Sequence, residues 1–138
     1  SLNFQKDNFQ NAKKLSEWKD KILAHWNDIK VTNMSIPDPN MGPMELKEPF
    51  VSEISLMIPG LDIDDLGIEV VLGNRKNDGS YRIKHVDQFK PMKYENEIAT
   101  FRTEFKIYQA GVHEYAFRLY PKNKLMGSRM DFPITKWL

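Results

Sequence analysis

AGVHEYAFRLYPKN, residues 110–123, decides what kind of chain this is. Tyr115, Phe117 and Leu119 fall on one parity, while His113, Glu114 and Arg118 supply the side-chain types of a catalytic cluster. On an extended backbone neighbouring residues point to opposite faces, so His113 and Glu114 cannot serve together as base and orienter. Arg118 shares the parity of Glu114, four residues away. The stretch therefore reads as a β-strand that turns Tyr115, Phe117 and Leu119 inward and its charges outward.

The same period recurs on either side of it. In EISLMI, Ile54, Leu56 and Ile58 share a face, and in IATFRTEFKI the set is Ala99, Phe101, Thr103, Phe105 and Ile107. Further β-rich runs are FVSEISLMI, GIEVVLG, SYRIKHV and DFPITKWL. Turn chemistry separates them: Pro59-Gly60, Asn77-Asp78-Gly79, Ala110-Gly111 and Pro121-Lys122-Asn123. Four of the eight prolines lie within residues 35–49, which marks a loop or edge segment rather than a central strand.

Upstream the period changes. Leu15, Trp18, Ile22, Trp26 and Ile29 are spaced by three or four, one face of an amphipathic helix predicted over residues 8–28. Asp7 is its expected N-cap, with Gln10 completing a capping box. Two tryptophans on one stripe require a large apolar surface to cover them, so Trp18 and Trp26 form a candidate docking surface, toward this chain or a neighbouring domain. One helix followed by six or seven short strands predicts a mainly β fold: an immunoglobulin-like antiparallel β-sandwich preceded by one N-terminal amphipathic α-helix. The division expected is 1–30 for a helix leading from an upstream region and 31–138 for the sandwich. A small barrel is the structural competitor. A parallel α/β sheet lacks the intervening helices it would need.

Composition narrows the function. The 138 residues fit one domain. Absence of cysteine removes disulfides, thiolate metal sites and a cysteine nucleophile, and points to a reducing compartment. Twenty basic against nineteen acidic residues give a formal charge of +1, without the basic excess that nucleic-acid binding needs. No apolar run approaches the roughly 20 residues that span a bilayer, and no membrane partner is expected. The chain opens on Ser1 rather than methionine, so its natural start is expected upstream.

Site motifs are few. His25, His85 and His113 sit in different elements without metal-ligand spacing. LDIDDLG could open a calcium loop with Asp62 first and Asp64 third, but Leu66 stands fifth and Gly73 twelfth, where a bidentate Glu belongs. Asp62 as cap of a helical turn over Ile63-Asp64-Asp65-Leu66 is the better reading. No glycine-rich phosphate loop and no serine elbow exist. Tyr81, Tyr94 and Tyr120 are the candidates for stacking on a sugar ring if exposed, against the alternative that they cover core edges.

The order of elements carries a resemblance. LSEWKDKILAHWNDIKV comes first, then EISLMIPGLDIDDLGIEVVLG, then MKYENEIATFRTEF, then AGVHEYAFRLYPKNKLM, and finally ITKWL. Together they resemble the C-terminal region of the bacterial and archaeal type of α-glucan (glycogen/starch) phosphorylase. The residues that carry it are Trp26, Ile29 and Val31; Ile58, Gly60, Leu61, Asp64, Asp65, Ile68 and Glu69; Gly111, Tyr115, Phe117, Arg118, Leu119, Pro121 and Leu125; and Trp137. Pro59 departs from the family pattern, which has a small residue there.

The resemblance implies a parent enzyme that uses pyridoxal phosphate and inorganic phosphate to release glucose 1-phosphate from an α-1,4-glucan in the cytoplasm. No segment here matches the family's cofactor or substrate motifs. The chain is accordingly expected to be a non-catalytic accessory domain without a cofactor of its own. Its expected partners are the parent's catalytic domains or a second subunit, with α-glucan as the alternative.

Overall fold

Alternating apolar residues commit most of this chain to strands, and the strands close over one core. The computed structural model describes residues 2–37, 49–108 and 114–138. A long helix, α1 (Leu2–His25), passes through a 3-10 turn (Trp26–Asp28) into β1 (Lys30–Ser35). Then follow β2 (Pro49–Met57), β3 (Leu66–Arg75), β4 (Tyr81–Gln88), β5 (Lys90–Glu95), β6 (Ile98–Lys106), β7 (Glu114–Pro121) and β8 (Lys136–Trp137). The first sheet has the order β1-β2-β6-β5 and the second β4-β3-β7-β8, with every pairing antiparallel. The fold is mainly β, as the alternation predicts, with one N-terminal helix and two antiparallel sheets in a sandwich-like arrangement.

The inner faces are the ones read from the sequence. Ile54, Leu56, Ala99 and Phe101 of the first sheet meet Ile68, Val70, Leu72, Phe117 and Leu119 of the second, all in one buried cluster. Each such Ile, Leu, Val or Phe side chain contributes roughly 1.5–3 kcal/mol by leaving water, and Ala99 less. Tyr115 packs partly buried against that cluster, edge-on to Phe50 and Phe117. Along the open side, Thr103 of β6 donates to Asp87 of β4 at 2.7 Å, and the His85 ring lies 5.0 Å from Phe105. β3 is buried on both faces as far as Gly73, because the carboxy-terminal segment covers part of its outer side.

Several expectations need correction. Helix α1 begins at Leu2, so Asp7 lies inside it and is not the N-cap. DFPITKWL forms a 3-10 turn at Arg129–Asp131 and only two residues of strand, not one continuous strand. The helical turn after Asp62 is the 3-10 turn Ile63–Asp65, closed by the Asp62 amide donating to Asp65 Oδ2 at 2.8 Å, and Leu66 already starts β3. β1 and β5 are strands that period alone did not separate from the loops beside them. The turn from β5 to β6 uses Asn96 (φ 52°) and Glu97 (φ 64°), the double left-handed geometry of a type I′ hairpin without a glycine. The Ala110-Gly111 turn and His113 lie outside the described residues.

Candidate functional site

Helix α1 is fastened to the sandwich by its second half. Trp18 is buried edge-on against Phe132 at 5.8 Å, and its indole N–H donates to Asp65 Oδ1 at 3.0 Å. Lys21 reaches the other oxygen of Asp65 at 2.8 Å, so the 3-10 turn before β3 is held by two helix side chains. Ile22 is fully buried. Trp26 is half-buried beneath Lys136, whose ammonium lies 5.4 Å from the ring and donates to the Trp26 carbonyl at 2.9 Å. Trp18 thus docks on this chain's own sandwich.

The three tyrosines do not share a face. Tyr94 is on β5 of the first sheet, 42% exposed, with its hydroxyl donating to the Leu61 carbonyl at 2.7 Å. Tyr81 and Tyr120 belong to the second sheet. Tyr81 is half-buried and donates to the Glu114 carbonyl at 3.0 Å; burial, then the Glu114 charge, raises its pKa. Tyr120 is only 8% exposed, lies over Gly67, and donates to Gln88 Oε1. The Arg129 guanidinium covers its ring at 3.8 Å. Burial, followed by the nearby Glu69 charge, raises the Tyr120 phenol.

The densest polar constellation is one that the sequence reading did not single out. Ile68, Val70 and Leu72 fill the core, so Glu69 points to the outer face of β3, yet it is 1% exposed. Its register partners are Gln88 on β4 and Arg118 on β7, and Arg118 in turn faces Trp137 on β8. The row Gln88–Glu69–Arg118–Trp137 therefore crosses all four strands of the second sheet. Arg118 Nε donates to Glu69 Oε1 at 2.6 Å and Gln88 Nε2 to Oε2 at 2.7 Å. Arg129, arriving from the carboxy-terminal segment, binds both oxygens at 2.9 and 3.1 Å.

Burial alone would raise the Glu69 carboxyl. Hydrogen bonds from Arg129, Gln88 and Arg118, with the charge of Arg129, outweigh it and hold the pKa below the ordinary value. The indole of Trp137, 58% exposed, lies 5.2 Å from the Arg118 guanidinium.

Such a site binds the fold together rather than a proton in transit. Glu69 has a full set of partners, and every buried side-chain N or O atom among the described residues is hydrogen-bonded. Among the described residues no three His, Asp or Glu side chains gather as metal ligands would, and no helix is long and apolar enough to cross a membrane. At the β3–β4 turn, Asn74, Arg75, Lys76, Asn77 and Arg82 line a shallow polar depression. The acid there, Asp78, is held by the hydroxyl and amide of Ser80, which lower its pKa.

Beside the charged row the outer face of the second sheet turns apolar. Val86 pairs with Val71 and Val71 with Ala116; one step further, Ile83 pairs with Gly73. Ile83 is 55% exposed. Beyond it Arg75 Nε meets Glu114 Oε1 at 3.2 Å, so ion pairs stand at both ends of the apolar strip. The outer face of the first sheet is mixed: the rows Asn33–Ser55–Thr100–Lys93 and Glu53–Arg102–Lys90 carry hydroxyls and charges, while Val51 and Met57, 38% and 39% exposed, and Ile98 opposite Met57 are apolar.

A search of curated proteins gives no match to this chain. The family model described as the glycogen phosphorylase C-terminal domain matches residues 26–138, from the first residue of the 3-10 turn after α1 through all eight strands. With that match over most of its length, the chain belongs to the glycogen phosphorylase C-terminal domain family.

Proposed function

We propose that this chain is a non-catalytic accessory domain of a glycogen phosphorylase-like protein, and that its work is to pack against the rest of that protein. The reading rests first on the way α1 is fixed. Trp18 and Ile22 are part of the sandwich core, so α1 is a fixed part of the domain rather than a free linker. Second, the most deeply buried titratable group, Glu69, is consumed by four hydrogen bonds that hold strands and the carboxy-terminal segment together. In the parent enzyme the phosphorolytic chemistry and its pyridoxal phosphate would reside in the preceding catalytic domains.

Titration of the 138-residue chain with maltoheptaose, followed by tryptophan fluorescence and amide NMR shifts, tests the reading. A flat response at millimolar sugar is expected, because Tyr81, Tyr94 and Tyr120 form no common platform. Saturable shifts around Tyr94 or Trp137 would make the chain a glucan-binding module instead.

A further inference from the structure

We infer that the carboxy-terminal segment is a strap that seats helix α1, with the Arg129–Glu69 bond as its latch, so that a carboxylate on the outer face of β3 positions a helix with which it makes no hydrogen bond or ion pair. The strap acts within this chain, whatever surface the domain packs against.

Two sets of contacts hold α1. One comes from the connection that precedes β3: Asp65 takes the Trp18 indole N–H and the Lys21 ammonium, and the His25 ring closes over Gly60. The other comes entirely from the carboxy-terminal segment. The Asp131 carbonyl accepts from Lys19 at 3.2 Å, the Phe132 ring meets Trp18 edge-on with the Lys19 ammonium 5.7 Å above it, and Lys136 donates to the Trp26 carbonyl at the end of the helix.

The segment has few anchors of its own. Between Lys122, whose amide donates to the Asp65 carbonyl at 2.8 Å, and Lys136, where β8 begins, it contributes no strand to either sheet. Its place there depends on side chains, and the charged one is Arg129, bound through two nitrogens to a carboxylate that is 1% exposed.

The latch and the helix contacts lie on one rigid piece of chain. Ser128 caps the 3-10 turn Arg129–Asp131, its hydroxyl accepting from the Met130 amide at 3.1 Å, and the Phe132 amide donates to the Arg129 carbonyl at 3.1 Å. Asp131 and Phe132 therefore reach α1 only where Arg129 holds the turn.

Hydrogen exchange of the 138-residue chain, followed by NMR, tests the coupling. Most helical stability comes from packing of the apolar face, so a loosened α1 loses amide protection. Arg129→Met keeps the stem over Tyr120 and removes the guanidinium; Arg129→Lys is the milder form, used where the first does not fold. Ile54→Val, a core truncation away from the strap, reports the effect of lower global stability.

In the Arg129 variant the amides of residues 18–23 and the Trp18 indole N–H should exchange about tenfold faster or more, beyond any change in the β6 amides. In Ile54→Val the two groups should move together. Exchange in α1 that follows β6 alike in both variants would overturn the strap and leave Asp65 as the seat of the helix. Faster exchange confined to residues 129–138, with α1 unchanged, would overturn it equally, because the segment would then open without the helix.

Discussion

Arg118 on β7 stands directly opposite Glu69 on β3, and its guanidinium reaches Glu69 Oε1 at 2.5 and 2.6 Å on the outer side of the sheet. Arg129 closes over the same carboxylate from a segment 60 residues away in sequence. A carboxylate with two guanidinium partners stays charged although it is buried, and its charge fastens the carboxy-terminal segment to the sheet.

Replacing Glu69 by Gln keeps the shape and removes the charge. Two arginines then lose their anion, but both can turn toward solvent, so the expected cost is about 1–3 kcal/mol near neutral pH. The pH dependence has a definite sign. The folded pKa is depressed, so the contribution is complete above the unfolded carboxyl value and is lost as pH falls through the folded one. The gap between wild type and Glu69→Gln in urea unfolding should therefore narrow from pH 7 toward pH 3. A gap that stays constant would contradict the ionised network.

Trp18 offers a second test. Removing a buried tryptophan costs about 3–5 kcal/mol, so Trp18→Ala should lower the unfolding free energy by that amount. Trp26→Ala should cost less, because Trp26 is only half-buried. Trp18→Phe should lose about 1–2 kcal/mol, since the Asp65 carboxylate gives up the indole N–H while most of the ring contact survives. A Trp18→Ala loss below about 1 kcal/mol in chemical denaturation would contradict the docking of α1 on the sandwich.

Gly67 is required by the Tyr120 ring. A β-carbon at Gly67 would come within 2.6 Å of the Tyr120 hydroxyl oxygen and 2.7 Å of a ring carbon, and that ring is fixed between Gln88 and Arg129. Gly67→Ala is expected to cost about 1–3 kcal/mol by overpacking. The double variant Gly67→Ala/Tyr120→Leu should recover part of it. An additive double-mutant cycle would show that the two positions do not touch.

What the sequence made legible were the elements with one wet face. In β2 and β6, alternation named Ile54, Leu56, Ala99, Phe101 and Thr103 as inward, and all five are buried. β7 was readable for the same reason in Phe117 and Leu119. β5 was not, because every one of its side chains is exposed at the sheet edge, where Pro91 is also tolerated and no period remains to detect. The Asn96-Glu97 turn lacks the glycine that usually announces such geometry.

Glu69 entered the sequence reading only as one of the residues that carry the family resemblance, with no structural role assigned to it. Its signal was nonetheless present: one acid inside Ile68-Glu69-Val70-Val71-Leu72, a run apolar on both faces, has no water on either side and must find cations. Only the fold could bring Arg129 to it. The helix start was misplaced for a local reason, since Asp7 is a good cap by residue type but helical backbone already runs from Leu2.

The most direct test of the accessory packing role is to delete residues 31–138 from the full-length protein and measure its thermal unfolding and phosphorolytic activity. The account predicts a lower unfolding temperature for the remaining domains, with catalysis retained by the molecules that stay folded. An unchanged unfolding temperature would contradict packing, and loss of activity in a fully folded remainder would contradict a non-catalytic role.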